Sequence, residues 1–549
     1  MLLLLSQFCA TLLLLPWTTL GQFPAACNDP ESLQTKTCCP NNCGGPARGR
    51  CENITAQVAA QWELADPDIT TILKHTPDRP QKGKADTRYL WPTVVFEKVC
   101  VCKGHFWGGD CSQCNFGWTG NDCNSRKTPV VRKSFPRLTT EEKQSLMTAI
   151  RDLKRETDYW SVVIVEEPEN YTSGTVSLQN VSAYDFLLYL HFYAGRDALP
   201  ACYAYNGAMV DFAHSGPAFP LWHRYMILLF EREVQRITNN PSFGLPYWPW
   251  DENDTSPFTP EYFGVPGSVN GPAVNVTGRV INPNDWNTIC DMAHWFRTLN
   301  CSEYWRPCNP ADDLAAHRPL QRGDPPLDFY LPNWVEVQIA LAATSYDAVD
   351  TTGKYSLHSP RESFRFRLEG GVNICSAARC AYPRLSSTLA RMHNVLHMWV
   401  GGQMVWTTTS PNDPIFYPHH CNVDRILESW FYKFTRGSSN PALLPEYIPV
   451  SGGHPGHNRN DYMVPFFPLV TPIELFCNSE ELGYTYDKLI PATMKDYDVP
   501  DCSEVIPSGT CPICDANGTC INCTSETCPA PDLVMISLEA SSAGDLVLH

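Results

Sequence analysis

The sequence predicts a mainly α domain with long loops, preceded by a small disulfide-rich module and followed by a cysteine-rich tail. Three observations carry this. Cysteines crowd both ends of the chain and thin out between about residues 129 and 485. Within that middle stretch, apolar residues recur at helical spacing in several patches. Long runs rich in Pro and Asn separate the patches, a composition that belongs to loops.

In chain order, residues 1–21 read as a secretory signal peptide, an apolar run too short for a comfortable membrane span and broken by Pro16. No Lys or Arg precedes that run, so an N-terminal anchor is the alternative. No later stretch reaches about eighteen apolar residues, and no transmembrane anchor is expected. The chain holds 25 cysteines; with Cys9 in the leader an even number remains, which implies a disulfide framework in an oxidising compartment. Asn-x-Ser/Thr acceptors at Asn53, Asn170, Asn180, Asn253, Asn275, Asn300, Asn517 and Asn522 fit a glycoprotein of the secretory pathway. The formal net charge of −17 repels phosphate-rich partners, so no nucleic acid is expected.

Residues 22–128 form the first cysteine-rich region. Its stretch CVCKGHFWGGDCSQCNFGWTGNDC resembles an EGF-like module, which has little core and depends on cross-links. The alternative, a zinc site using Cys111 and Cys114, conflicts with the oxidising compartment. Residues 486–549 hold a second cluster, from Cys502 to Cys528, expected to be a stapled tail.

The domain at 129–485 carries the chemistry. Most of the 15 histidines sit in polar or loop-like settings, and His75, His105, His317, His358, His454, His457 and His549 read as surface residues; His294 is equivocal. Six others matter. His191 falls in SAYDFLLYLHFYA, a helix capped by Ser182 and Asp185 and apolar nearly all round. Alone it is either a hydrogen-bonded core imidazole or a metal ligand. His214 lies in a Gly/Pro loop, and Pro220 opens the helix that carries His223. In RMHNVLHMWVGG, His393 and His397 are four apart and share one helical face, a spacing suited to chelation, before Gly401 and Gly402 end the helix. In NDPIFYPHHCNVDRILESWFYKF, His419 and His420 lie about equally near the apolar stripe, so periodicity does not choose between them. Cys421 beside them is expected in a disulfide. Two all-histidine sites would suit copper, zinc or nickel and disfavour magnesium or calcium.

HSGPAFPLWHR, HNVLH and NDPIFYPHHCNVD together resemble the paired copper signatures of the tyrosinase family, in its animal branch, from the EGF-like region to about Tyr497. The resemblance implies a four-helix-bundle type-3 copper domain. It assigns His191, His214 and His223 to one copper ion, and His393, His397 and His420 to a second, with His419 as neighbour. Dioxygen would be co-substrate for oxidation of a small phenol such as tyrosine or DOPA to an o-quinone, in melanin-type pigment synthesis outside the cell or in a pigment vesicle. Glu369 and Asn394 resemble the pair that holds a water for phenol deprotonation, and Asp424 is expected to orient a ligand as a second-shell group. Gly371 stands where a bulkier residue often lines the pocket, and Ser410 is expected near the substrate entrance. Vertebrate members end in a membrane span; here a cysteine-rich tail stands instead. A zinc-containing tautomerase and a hemocyanin-like oxygen carrier are the competing functions.

Overall fold

The computed structural model describes residues 27, 29–63, 88, 91–156, 160–166, 175–195, 211–264, 274–275, 286–290, 319–323, 331–349, 363–370, 392–447, 449, 456–495, 510–514 and 520–524. The expected leader and Gly371 lie outside these residues, as do most of the tail and His75, His294, His317, His358, His454 and His549.

The N-terminal region contains α1 (Pro30–Thr35), β1 (Thr37–Cys38), β2 (Gly49–Asn53), α2 (Thr55–Glu63) and β3 (Lys98–Cys102), with strand order β1-β3-β2. Two small antiparallel ladders follow, β4 (Phe106–Trp107) with β5 (Gln113–Cys114) and β6 (Trp118–Thr119) with β7 (Ser125–Arg126). So few residues bury little apolar surface, and cross-links replace a core. The bridges are Cys27–Cys38, Cys39–Cys51, Cys43–Cys100, Cys102–Cys111 and Cys114–Cys123. Cys111 and Cys114 thus belong to different disulfides, which rules out zinc there.

The large domain runs β8 (Val130–Arg132), α3 (Thr140–Arg155), β9 (Trp160–Glu166), β10 (Thr175–Val181), α4 (Ala183–Gly195), α5 (Phe219–Ile237), β11 (Val274–Asn275), β12 (Gln321–Arg322), α6 (Trp334–Ala342), α7 (Phe364–Glu369), α8 (Met392–Val400), α9 (Phe416–Thr435), α10 (Pro472–Leu475) and β13 (Tyr484–Tyr486). In the tail, β14 (Thr510–Cys514) pairs antiparallel with β15 (Cys520–Thr524). The domain is mainly α, as the sequence predicted, and its core is the set of histidine-bearing helices α4, α5, α8 and α9. Helix α5 packs along α9 and against α4, while α7 packs on both α8 and α5.

Local chemistry sets where these helices start. The Ser182 hydroxyl caps α4, accepting from Asp185 N at 3.0 Å and donating to its carboxylate at 2.7 Å. Pro220 sits in the first turn of α5, where its missing N–H costs no bond. Helix α8 stops at Gly401 and Gly402, both at positive φ. A Cβ on Gly402 would stand 2.0 Å from the Gln321 carbonyl oxygen, so only glycine lets β12 approach.

Helices α5 and α9 are locked by buried ion pairs. Arg132 reaches from β8 to Glu231 at 2.9 Å and Asp424 at 3.1 Å; Arg224 meets Asp424 at 2.5 Å and Glu428 at 3.2 Å. Parallel pairing of β8 with β13 brings Tyr484 and Tyr486, whose hydroxyls also donate to Asp424. A buried arginine without such partners would leave a bare charge in a dry interior.

The cysteine expectation needs one correction. Cys421 and Cys477 are free thiols. Cys421 faces the Leu245 carbonyl at 3.3 Å, and its place inside the α5–α9 core takes it away from the disulfide regions.

Candidate metal centre

Four helices and one loop deliver six imidazoles to one place. His191 comes from the middle of α4, and His223 from the first turns of α5. His214 comes from the loop before α5, where Asp211 folds the chain by accepting from Ala213 N and His214 N at 2.8 and 2.9 Å. These three form one cluster, with ring centroids 4.8 to 5.4 Å apart. His393 and His397 project from α8 and meet His420 of α9, at centroid separations of 4.5, 4.8 and 5.7 Å. The clusters adjoin: the His223 and His420 rings stack at 4.1 Å with planes 7° apart. Phe219 and Phe416 each touch both clusters and fill the space beside them.

Hydrogen bonding fixes which nitrogen faces inward. His223 Nδ1 donates to the Phe219 carbonyl at 2.9 Å, and His397 Nδ1 to the Met404 carbonyl at 2.8 Å. His393 Nδ1 lies 2.8 Å from Asn394 Oδ1 and 3.3 Å from the Glu369 carbonyl; His214 Nδ1 lies 3.1 Å from the Asp211 carboxylate. Every one of these partners accepts, so in these four rings Nδ1 carries the proton. Burial first, and neighbouring imidazoles next, holds His191, His393 and His420 well below the usual histidine range. Burial and His214 do the same to His223, and burial takes His397 down to about 3. Neutral rings protonated at Nδ1 leave Nε2 as a bare lone pair. Yet the two bare Nε2 atoms of His393 and His397 stand 2.9 Å apart; the Nε2 atoms of His191 and His223 lie 3.3 Å apart, and those of His393 and His420 3.4 Å. Facing lone pairs repel unless a cation lies between them. The geometry is that of two metal sites, and nitrogen-only donors fit copper.

The structure brings together all six histidines assigned from sequence. His419 is a fourth, fully buried imidazole beside the second trio, stacked on His393 at 5.1 Å and packed near Trp248 and Trp250. His420 stacks on His223 of the first trio, while a ring nitrogen of His419 also lies within reach of the second trio's. Glu369 is buried rather than a surface acid: its carboxylate accepts from Arg365 at 2.8 Å and Ser215 N at 2.5 Å. Burial raises its pKa and the Arg365 charge opposes this.

Four expectations are corrected. Asp424 orients no ligand: its oxygens are taken by Arg132, Arg224, Tyr484 and Tyr486, and among the described residues no histidine bonds it. One turn beyond His420 it points at the helix's structural side. The carboxylate that does meet a ligand is Asp211, which sequence reading missed; the signal was an Asp three residues before His214 in DFAH. Ser410 is fully buried, with its hydroxyl donating to the Thr407 carbonyl at 3.4 Å, and so does not line an entrance. His457 is buried rather than at the surface. His105 is half-buried and stacks on Trp118.

Residues 181–433 match the family model described as the common central domain of tyrosinase. The tyrosinase of Pelophylax lessonae is 31% identical over 509 residues, covering 89% of this chain and 86% of that protein. The tyrosinase of Gallus gallus is 32% identical over 484 residues, covering 85% and 82%. A Homo sapiens protein named 5,6-dihydroxyindole-2-carboxylic acid oxidase is 30% identical over 503 residues, covering 88% and 84%. Among solved structures, a polyphenol oxidase from Thermothelomyces thermophila aligns with a TM-score of 0.38 at 18% identity, covering 66% of this chain and 89% of that one. With two adjoining histidine trios and relatives at this identity over most of its length, the chain belongs to the tyrosinase family of oxidoreductases.

Proposed function

We propose that the protein is a copper-dependent oxidase that converts tyrosine- or DOPA-like phenols to o-quinones with dioxygen, in melanin-type pigment synthesis within the secretory pathway. The observation that carries this reading is the gathering of Nε2 atoms at 2.9 to 3.4 Å within each of two trios that share the His223–His420 stack, the His393–His397 pair meeting lone pair to lone pair. His191, His214 and His223 would hold one copper ion and His393, His397 and His420 the other. Bound there, copper supplies the redox chemistry that couples phenol oxidation to reduction of dioxygen.

The chain's own groups do the rest. The carbonyls behind His223 and His397 and the Asp211 carboxylate keep each ring in one tautomer and one orientation. Phe219 and Phe416 exclude water between the trios. A phenol must lose its proton before oxidation, and Glu369, whose main-chain carbonyl meets His393, and Asn394, whose side chain does, are the residues we assign to hold the water that takes it. Each Glu369 oxygen spends one lone pair on Arg365 or Ser215 and keeps another for that water. Glu369→Gln is expected to lower tyrosine hydroxylation at least tenfold while DOPA oxidation falls less, checked by oxygen uptake with each substrate.

A second reading, oxidation of a dihydroxyindole carboxylic acid, is favoured by the name of the human relative at 30% identity. Metal analysis with oxygen uptake on tyrosine, DOPA and the indole substrate tests both. Two copper ions per chain with phenol turnover support the first reading; zinc with no oxygen uptake overturns both.

A further inference from the structure

Beyond the two trios, His457 is a buried imidazole bonded at both ring nitrogens, and it lies in GHNRNDY, a segment that supplies no ligand. The Ala218 N–H donates to its Nδ1 at 3.2 Å. Nδ1 is therefore the bare nitrogen, and Nε2 carries the proton that it donates to the Asp211 carbonyl at 2.8 Å. Asp211 and Ala218 are the two ends of the loop that holds His214. One ring thus spans the base of the loop and closes it.

The surroundings are built for this contact. Gly216, inside the loop, packs directly on the ring: a Cβ there would stand 2.5 Å from His457 Nδ1. Ser215 beside it adopts a φ of 57°, which bends the loop. The His457 segment is itself anchored, since Tyr447 donates to the His457 carbonyl at 2.8 Å and Asp461 gathers Gly456 N at 2.9 Å and the Asn458 amide at 2.7 Å. The loop's first residue then holds the ligand, with the Asp211 carboxylate 3.1 Å from His214 Nδ1. Helix α5 starts at Phe219, right after Ala218, so the same ring also fixes the start of the helix that carries His223.

We propose that His457 is a positioning residue for the first trio, a clasp that sets His214 and His223 at the geometry copper needs while leaving the second trio untouched. The proposal rests on the reading of the trios as copper sites. Its test compares the full-length wild type with His457→Ala, the milder His457→Asn, and Gly216→Ala, which wedges the ring away from the opposite side. Copper is titrated into metal-free protein, and backbone hydrogen exchange is read on the same metal-free samples.

Wild type is expected to take up two copper ions. His457→Ala and Gly216→Ala should hold one with unchanged affinity and the other about 10- to 100-fold more weakly. His457→Asn, which can still accept from Ala218 N, should recover part of the loss. Exchange should quicken at least tenfold at residues 213–219 and stay unchanged in α8. Two copper ions held as tightly as in wild type would overturn the proposal, and so would equal weakening of both sites with faster exchange throughout. If wild type binds no copper, the reading of the trios fails, and the exchange pattern alone decides whether the clasp exists. Should His457→Ala not fold, His457→Asn and Gly216→Ala carry the same discrimination.

Discussion

Asp424 shows what a single buried carboxylate can hold. Two guanidinium groups and two phenols converge on it, and both arginines are fully buried. Among the described residues, Asp424→Ala leaves Arg132 with Glu231 alone, and Arg224 with Glu428 alone, as carboxylate partners. The expected loss is about 3–5 kcal/mol of folding stability, checked by chemical denaturation. Glu233 of α5 makes a contrasting case. Burial lifts its carboxyl from 4.5 to about 7 despite the Arg236 charge beside it. The unfolded chain gives up that proton near pH 4.5 while the folded protein keeps it to about pH 7. Its contribution is therefore present below pH 4.5 and lost as pH rises to 7, amounting to about 3 kcal/mol. Glu233→Gln should remove that segment of the stability–pH curve, measured as melting temperature across pH 4 to 8. At this scale the sequence was legible for ligand type and opaque for partners. Two histidines four apart on a helix declare a shared face, but nothing local tells that a loop histidine such as His457 is covered by Gly216. Such burial depends on chain hundreds of positions away.

Helices were the most legible elements, because their signals lie within a few residues. Ser182, Pro220 and the Gly401–Gly402 pair stand where the structure starts or ends a helix. Periodicity does not choose between His419 and His420, because a 100° step puts both near the apolar stripe; in the fold it is His420 that stacks on His223 of the facing helix α5. The Gly402 turn has a further use. It sends the chain back so that the Met404 carbonyl reaches His397 Nδ1. Gly402→Ala would meet backbone rather than a flexible side chain, at a φ of 58°. The expected cost is about 1–3 kcal/mol, read by denaturation, with weaker copper retention at the second trio read by metal analysis.

At the scale of the whole molecule, the cysteine-rich module is joined to the helix that holds His223. The Trp107 indole N–H donates to the Tyr225 hydroxyl at 3.2 Å, and the Arg232 guanidinium lies 3.7 Å from the Phe116 ring centre. Gly117 packs on the Glu481 carbonyl, and Arg126 pairs with Glu481. Opening the bridge beside these contacts, as in Cys114→Ser with Cys123→Ser, should cost about 2–5 kcal/mol and lower the copper content of protein purified at 37 °C. No helix among the described residues is long and apolar enough to cross a membrane.

The free thiol of Cys421 has a consequence for metal selectivity. It follows His420 directly, and a soft sulfur ligand so near would capture copper(I) in preference to imidazole. The helical step of about 100° turns it away from His420, to where the Leu245 carbonyl receives its S–H and burial pushes the thiol up to about 12. Protonated and walled off, it offers neither a competing donor for a metal ion nor a nucleophile for the quinone of the proposed reaction.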